Sequence, residues 1–223
     1  MIITRESHGQ YLKDKRFVYS LTMAIGLLVA GFFVNFYAGI YATKEASNAV
    51  TDIILDNIPV FDVDWIFIYG AVAFIVIVAI LCIMRPRYAP FTLKSVSLFV
   101  FVRSFFIMLT HIAPAPNHTP LDVFNAISKL TFGGDLFFSG HTGLPFLLAL
   151  IFWGNKKLRY SFLVASIIGG VIVLMGHLHY SIDVFAAFFI TYAIFHISEY
   201  LFKSDRILFK TGSFEVSKWH FFQ

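Results

Sequence analysis

Residues 65–84 read WIFIYGAVAFIVIVAILCIM, twenty positions without one charged side chain. A helix rises about 1.5 Å per residue, so a run of this length covers the roughly 30 Å hydrocarbon core of a bilayer. A helix at the surface of a soluble domain would need a polar face, and this run has none. The stretch therefore sets the class, an integral membrane protein, and the other apolar runs are read as further spans.

Five more runs fall near 17–41, 93–113, 136–153, 160–178 and 182–202. The expected fold is all-α: a six-transmembrane-helix bundle forming one membrane-embedded domain over 1–223. Composition agrees, with 58% apolar residues, 13% charged residues and a mean hydropathy of +0.77. Soluble domains sit near half apolar and about a quarter charged, so a soluble enzyme, a disordered tail and a disulfide scaffold are excluded. The first run lacks a small-residue cleavage site and precedes five others, so it reads as a span and not as a removable signal peptide. Trp65 and Trp153 stand at run ends, where amphipathic rings prefer to sit. Cys82 is the single cysteine, so no intrachain disulfide can form.

The net charge of +4 suggests nucleic acid only if it gathers on one surface, and here it gathers on one side of the expected bundle. Arg5, Lys13, Lys15, Arg16, Arg85, Arg87, Lys94, Lys156, Lys157, Arg159, Lys203, Arg206, Lys210 and Lys218 fall in the amino-terminal arm and the second, fourth and last connections. The alternate connections hold Lys44 and Lys129, and Arg103 lies inside a span. By the positive-inside bias both termini are expected in the cytoplasm, with no nucleic-acid partner. The basic connections then serve topology and attraction to anionic lipid.

Polar groups at membrane depth carry the functional information, because a charge at the bilayer centre costs about 2.5–3.5 kcal/mol even on the mild insertion scale. Arg103 stands in FVFVRSFFIMLTHIAPAPN (99–117). GGDLFFSGHTG (133–143) contributes Asp135, Ser139, Gly140, His141 and Thr142, and GHLHYSIDV (176–184) contributes His177, His179, Tyr180 and Asp183. The expected topology brings all three segments to one depth near the non-cytoplasmic face.

His179 and Asp183 are four apart and share a helical face, so the carboxylate can orient one imidazole nitrogen and raise the basicity of the other. That describes a positioned nucleophile or base. His141 follows Ser139 and Gly140 at a helix start, where backbone N–H groups favour an anion, although Ser139 could equally serve as a plain N-cap. Two histidines, a carboxylate, an arginine and an anion-binding helix start suffice to cut a phosphoester without metal or cofactor.

A zinc site drawn from His111, His118, His141, His177, His179, Asp135 and Asp183 is disfavoured, because His177 and His179 do not share a helical face and no HExxH or CxxC string is present. His177 reads instead as an outer partner of the motif, and Tyr180 as an interface aromatic. A proton-coupled transporter would need ionisable groups at several depths, whereas the cytoplasmic halves of the spans read as nearly free of them apart from Glu199. Asp52, Asp56, Asp62 and Asp64 make the first outer loop acidic, either as a topological signal or as a contact for an amine head group.

At these residues the chain resembles the type 2 phosphatidic acid phosphatase superfamily, and most of all its sphingomyelin synthase branch. The resemblance rests on GGDLFFSGHT (133–142) and HLHYSIDV (177–184), with weaker support from RSFFIMLTHIAPAP (103–116) and DNIPVFD (56–62). It implies that His179 attacks phosphorus to form a phosphohistidine, that Asp183 orients it, and that His141 protonates the leaving hydroxyl. Arg103, with Ser139, Gly140 and Thr142, would hold the phosphate, while Asp135, His177 and Tyr180 would support the site. It further implies a phospholipid substrate and a site on the non-cytoplasmic face, with either a lipid alcohol such as ceramide or diacylglycerol as acceptor, as in the synthase branch, or water, as in a phosphatidic acid-type phosphatase. Two departures separate the chain from the phosphatase pattern: Ser104 follows Arg103 where a proline is usual, with Lys94 too far upstream, and Val173 stands where an arginine is usual.

Overall fold

The computed structural model describes residues 8–116 and 136–214. Among these, all regular structure is helical: α1 (His8–Lys13), α2 (Lys15–Lys44), α3 (Asp64–Met84), α4 (Ala89–Leu109), α5 (Gly140–Ile151), α6 (Lys156–Met175), α7 (Ser181–Leu201) and α8 (Lys203–Thr211), with 3-10 turns at Leu55–Asn57 and Pro86–Tyr88. Five helices are long and apolar enough to cross a membrane: α2, the Pro86–Leu109 run containing α4, α3, α6 and α7. Their outer faces carry large apolar side chains such as Ile75, Ile83, Phe105 and Phe189, an arrangement suited to lipid and untenable in water.

The expected run at 136–153 is instead the 12-residue helix α5. It extends about 18 Å, well short of the roughly 30 Å core. Most of its residues are buried, from Thr142 to Ile151, between α4, α6 and α7. Ser139 turns extended at its start, and the Trp153-Gly154-Asn155 turn ends it. Two glycines allow this packing. A Cβ on Gly143 would lie 2.7 Å from the Phe99 ring and 2.9 Å from Thr191 Oγ1, and one on Gly169 of α6 would lie 2.4 Å from the His141 carbonyl oxygen. Pro145 has no N–H to offer that carbonyl from one turn on, which leaves it facing α6.

Helix α4 begins at Ala89 and stops at Leu109, about four residues earlier at each end than the expected 93–113. Pro90 fits the first turn of a helix, and Pro114 and Pro116 hold the segment beyond Thr110 extended. Helices α2 and α4 pack along a seam in which buried Phe17, Ala24, Gly31 and Ala38 recur every seven residues, and a Cβ on Gly31 would meet the Val100 and Phe101 side chains. Small residues at this repeat let two backbones approach closely in lipid.

Lys94 is not in a connection. It lies in α4, 5% exposed, where Nζ reaches Asp205 Oδ2 of α8 at 2.6 Å and Ser20 Oγ of α2 at 2.9 Å, and Ser20 Oγ also donates to the other Asp205 oxygen. Nearby Arg206 donates to Glu199 and to the Ile151 carbonyl at the end of α5, both at 2.9 Å, and lies over the Phe91, Phe195 and Phe209 rings. The end of the bundle expected to be almost free of ionisable groups thus contains a buried ionic cluster. Sequence hydropathy could not show it, because its members come from α2, α4 and α8.

Candidate active site

Three segments meet at the opposite end from the Lys94 cluster. Helix α7 starts at Ser181, and within its first turn Asp183, 1% exposed, takes the Tyr180 N–H on Oδ2 at 2.9 Å. The same oxygen lies 3.5 Å from Nδ1 of His179, which is 6% exposed. That is an ion-pair separation outside hydrogen-bond geometry, and Nδ1 makes no hydrogen bond. Catalytic contacts are often this loose before substrate binds and tighten in the complex. The structure brings the pair together, but not as two positions on one helical face: His179 sits before the helix, in the turn that leads into it.

The α5 start is tied to this turn through the backbone: Ser139 N–H donates to the Asp183 carbonyl at 3.1 Å. Ser139 occupies the N-cap position, yet its side chain makes no cap hydrogen bond; its hydroxyl accepts instead from Thr142 Oγ1 at 3.3 Å. Thr142 is fully buried, and its carbonyl accepts from Ser166 Oγ at 2.7 Å. The His141 ring stacks on Phe67 of α3, centroids 3.9 Å apart at 28°. From α4, Arg103 Nε donates to the Phe138 carbonyl at 2.8 Å and lies beside Gly140, where a Cβ would stand 3.7 Å from it. A guanidinium and the amide end of a short buried helix are therefore adjacent, a combination suited to an anion.

The supporting residues divide. His177 ends α6: its N–H donates to Leu174 and that of Leu178 to Val173, the paired bonds of a Schellman motif, and His177 takes the left-handed position with φ 53°. Glycine would be usual there, but Gly176 is committed one residue earlier, where a Cβ would lie 2.4 Å from Val63. His177 is thus a helix terminator, and its Nε2 is buried without a hydrogen-bond partner. Tyr180, 2% exposed, is a clamp and not an interface aromatic: its hydroxyl donates to the Ala113 carbonyl at 2.9 Å and accepts from Val50 N–H at 3.3 Å. Asp135 and His118 lie outside the described residues. His111 stands in an exposed segment where its carbonyl accepts from Ser47.

Position 173, where the resemblance expects an arginine, is a fully buried valine packed with Phe67, Ile68 and Val184. Lys94 is engaged nine residues, about 13 Å, down the helix from Arg103. Neither lies at the α5 start, whereas Arg103 does.

Sequence reading placed Asp52 only in an acidic outer loop and missed its structural role. It is 8% exposed and accepts three backbone N–H groups, from Ser181 at 2.7 Å, Ile54 at 2.8 Å and Leu55 at 3.1 Å. Burial alone would raise its carboxyl, but these bonds, that of Ser181 foremost, hold it below the ordinary carboxylate value. Asp56 in turn accepts the Asp52 N–H at 3.0 Å. The acidity of the loop is thus partly architectural. A local signal was present, since Asp followed two residues on by a turn is a common backbone-capping pattern, but its partner lies 129 positions away.

Residues 133–200 match the family model described as PAP2 superfamily C-terminal. The match takes in His141, His179 and Asp183 and supports the type 2 phosphatidic acid phosphatase superfamily, whose members are phosphoesterases. No curated protein and no solved structure matches the chain significantly.

Proposed function

We propose that this chain is a membrane lipid phosphotransferase that moves a phospho-head-group from a phospholipid to a lipid hydroxyl through a phosphohistidine, without metal or cofactor. The observation that carries this reading is the backbone tie between Ser139 and Asp183, which seats the His179 turn against the α5 amide end and Arg103. In the first step the free Nε2 of His179 attacks phosphorus, and the bond to the lipid alkoxide breaks. His141 gives that oxygen its proton, while Asp183 stabilises the imidazole that now carries phosphorus. In the second step His141 takes the proton of the incoming hydroxyl, that oxygen attacks phosphorus, and the P–N bond breaks to restore His179. The α5 amides and Arg103, with Ser139, Gly140 and Thr142 around them, hold the non-bridging oxygens throughout.

A lipid alcohol such as ceramide or diacylglycerol is favoured as acceptor by the electrostatics of the donor. A phosphomonoester carries up to two charges and a diester one, and of the two positions where the phosphatase pattern would add a cation, Lys94 is paired with Asp205 and 173 is a valine. The family match is equally compatible with the second reading, a phosphatidic acid-type phosphatase with water as acceptor. Mass spectrometry of lipids after incubation of the purified protein with a phospholipid donor and each alcohol separates them. A new phospholipid bearing the donor head group supports transfer, and free phosphate from phosphatidic acid as sole product, indifferent to added alcohol, supports hydrolysis.

The distribution of Lys and Arg supports an orientation with both termini in the cytoplasm and the site on the non-cytoplasmic face. In it α5 carries the chain back across together with the segments flanking it. Cysteine labelling of single-cysteine variants at Val60 and Lys157 in intact vesicles tests the assignment.

A further inference from the structure

The turn that bears His179 is fastened from outside by a segment 129 positions earlier in the chain. Asp52 Oδ2 takes the N–H of Ser181, the first residue of α7, while Oδ1 takes those of Ile54 and Leu55. On the other side of Asp52, Val50 N–H bonds the Tyr180 hydroxyl, which itself holds the Ala113 carbonyl. Residues 50–55 therefore hold both the Ser181 amide and the Tyr180 hydroxyl, groups of the two residues that directly follow His179.

The grip bears on Asp183. Its Oδ2 takes the Tyr180 N–H and also faces His179 Nδ1. The next donor in the same turn is the Ser181 N–H, an orphan helix-start amide that some acceptor must satisfy. We propose that Asp52 is a positioning residue for the His179–Asp183 pair: by occupying the Ser181 amide it leaves the Asp183 carboxylate directed at His179. Without Asp52, Asp183 is the acceptor left in that turn, and a carboxylate drawn to the helix amides is withdrawn from the imidazole. The proposal rests on the reading of His179 as nucleophile and adds a residue that never touches substrate.

The chemistry of Asp52 makes the test specific. Both of its oxygens act as acceptors, so asparagine, with one acceptor oxygen and an NH2 group, must set a donor against a donor on one side. Glutamate keeps two acceptors. In the full-length protein, Asp52→Asn is expected to lower kcat about 10- to 100-fold with KM changed less than about twofold, the signature of a misplaced nucleophile. Asp52→Glu is expected to recover part of that loss. Asp52→Asn added to Asp183→Asn is expected to cost nothing more, because both changes act through one contact. Nitrogen-15 spectra of the labelled histidines give a readout independent of turnover: His179 is expected as one Nδ1–H tautomer in the parent and as a tautomer mixture in Asp52→Asn, as in Asp183→Asn.

Full activity in Asp52→Asn would overturn the proposal. So would losses that multiply in the double variant with the His179 tautomer unchanged, since that pattern marks a structural loop contact. If the parent protein turns over no phosphoester, the reading of the site fails, and the tautomer spectra alone decide whether Asp52 positions the pair.

Discussion

The amide of Ser139 donates to the carbonyl of Asp183 at 3.1 Å, and through this bond the first turns of α5 and α7 stand level. Two motifs 44 positions apart in sequence are thereby held in fixed register without any side chain in the link. A backbone tie does not depend on the side chains at its ends, so a substitution at Ser139 or Asp183 leaves this particular bond available.

His179→Ala should abolish turnover, and Asp183→Asn should lower it steeply while leaving a measurable residual rate, since the attacking imidazole itself remains. His141→Ala should retain part of its rate on a p-nitrophenyl phosphoester, whose leaving group departs without a proton, and lose it on a lipid donor. Steady-state rates on both substrates check this, and equal losses for all three variants on the activated ester would remove His141 from the acid role.

Gly169→Ala should damage the site from a distance. Its Cβ would stand 2.4 Å from the His141 carbonyl oxygen, a backbone atom that cannot rotate aside. Helix α6 must shift away from α5, at a cost of about 1–3 kcal/mol typical of overpacking. Thermal unfolding in detergent should show the destabilisation, and kcat should fall with it because the displaced residue is His141. Gly154→Ala is the control, since nothing lies within 4 Å of a Cβ there.

Lys94→Met should destabilise the protein by about 3–5 kcal/mol, because it leaves Asp205 ionised, buried and without its ammonium partner. Lys94→Met combined with Asp205→Leu should recover most of that loss, as a well-packed apolar pair can replace a buried ion pair. Denaturation midpoints of the two variants provide the comparison, and the folded fraction of each should keep its kcat, since the cluster lies at the far end of α4 from Arg103.

Asp52 sets a pH dependence of stability. Its carboxyl lies lower in the folded protein than in the unfolded chain, so the ionised group stabilises the fold at every pH above the unfolded value of about 3.9. That contribution is lost as the pH falls through the folded value. Melting temperatures should therefore drop less steeply below about pH 4 in Asp52→Asn than in the parent. Parallel profiles would show that the carboxylate contributes nothing of this kind.

Much of this protein was legible in its one-dimensional order. Hydropathy over a window of about 20 residues is a local quantity, and it located α2, α3, α4, α6 and α7 to within a few residues. The two motifs were legible for a similar reason, because His179 with Asp183, and Ser139 with His141, are neighbours along the chain. The tertiary structure decided what depends on distant partners. α5 stops at 12 residues because it is enclosed by α4, α6 and α7 and needs no lipid-facing length. Lys94 reads as a loop charge until Ser20 and Asp205 arrive from other helices to neutralise it. His177 takes the left-handed position because Val63 has already claimed the side-chain space at Gly176. Asp52 reads as one acidic loop residue among four until the fold delivers the Ser181 amide to it. Propensity and hydropathy sum over sequence neighbours, whereas burial, pairing and close approach are set by which segments meet, and only the folded chain determines that.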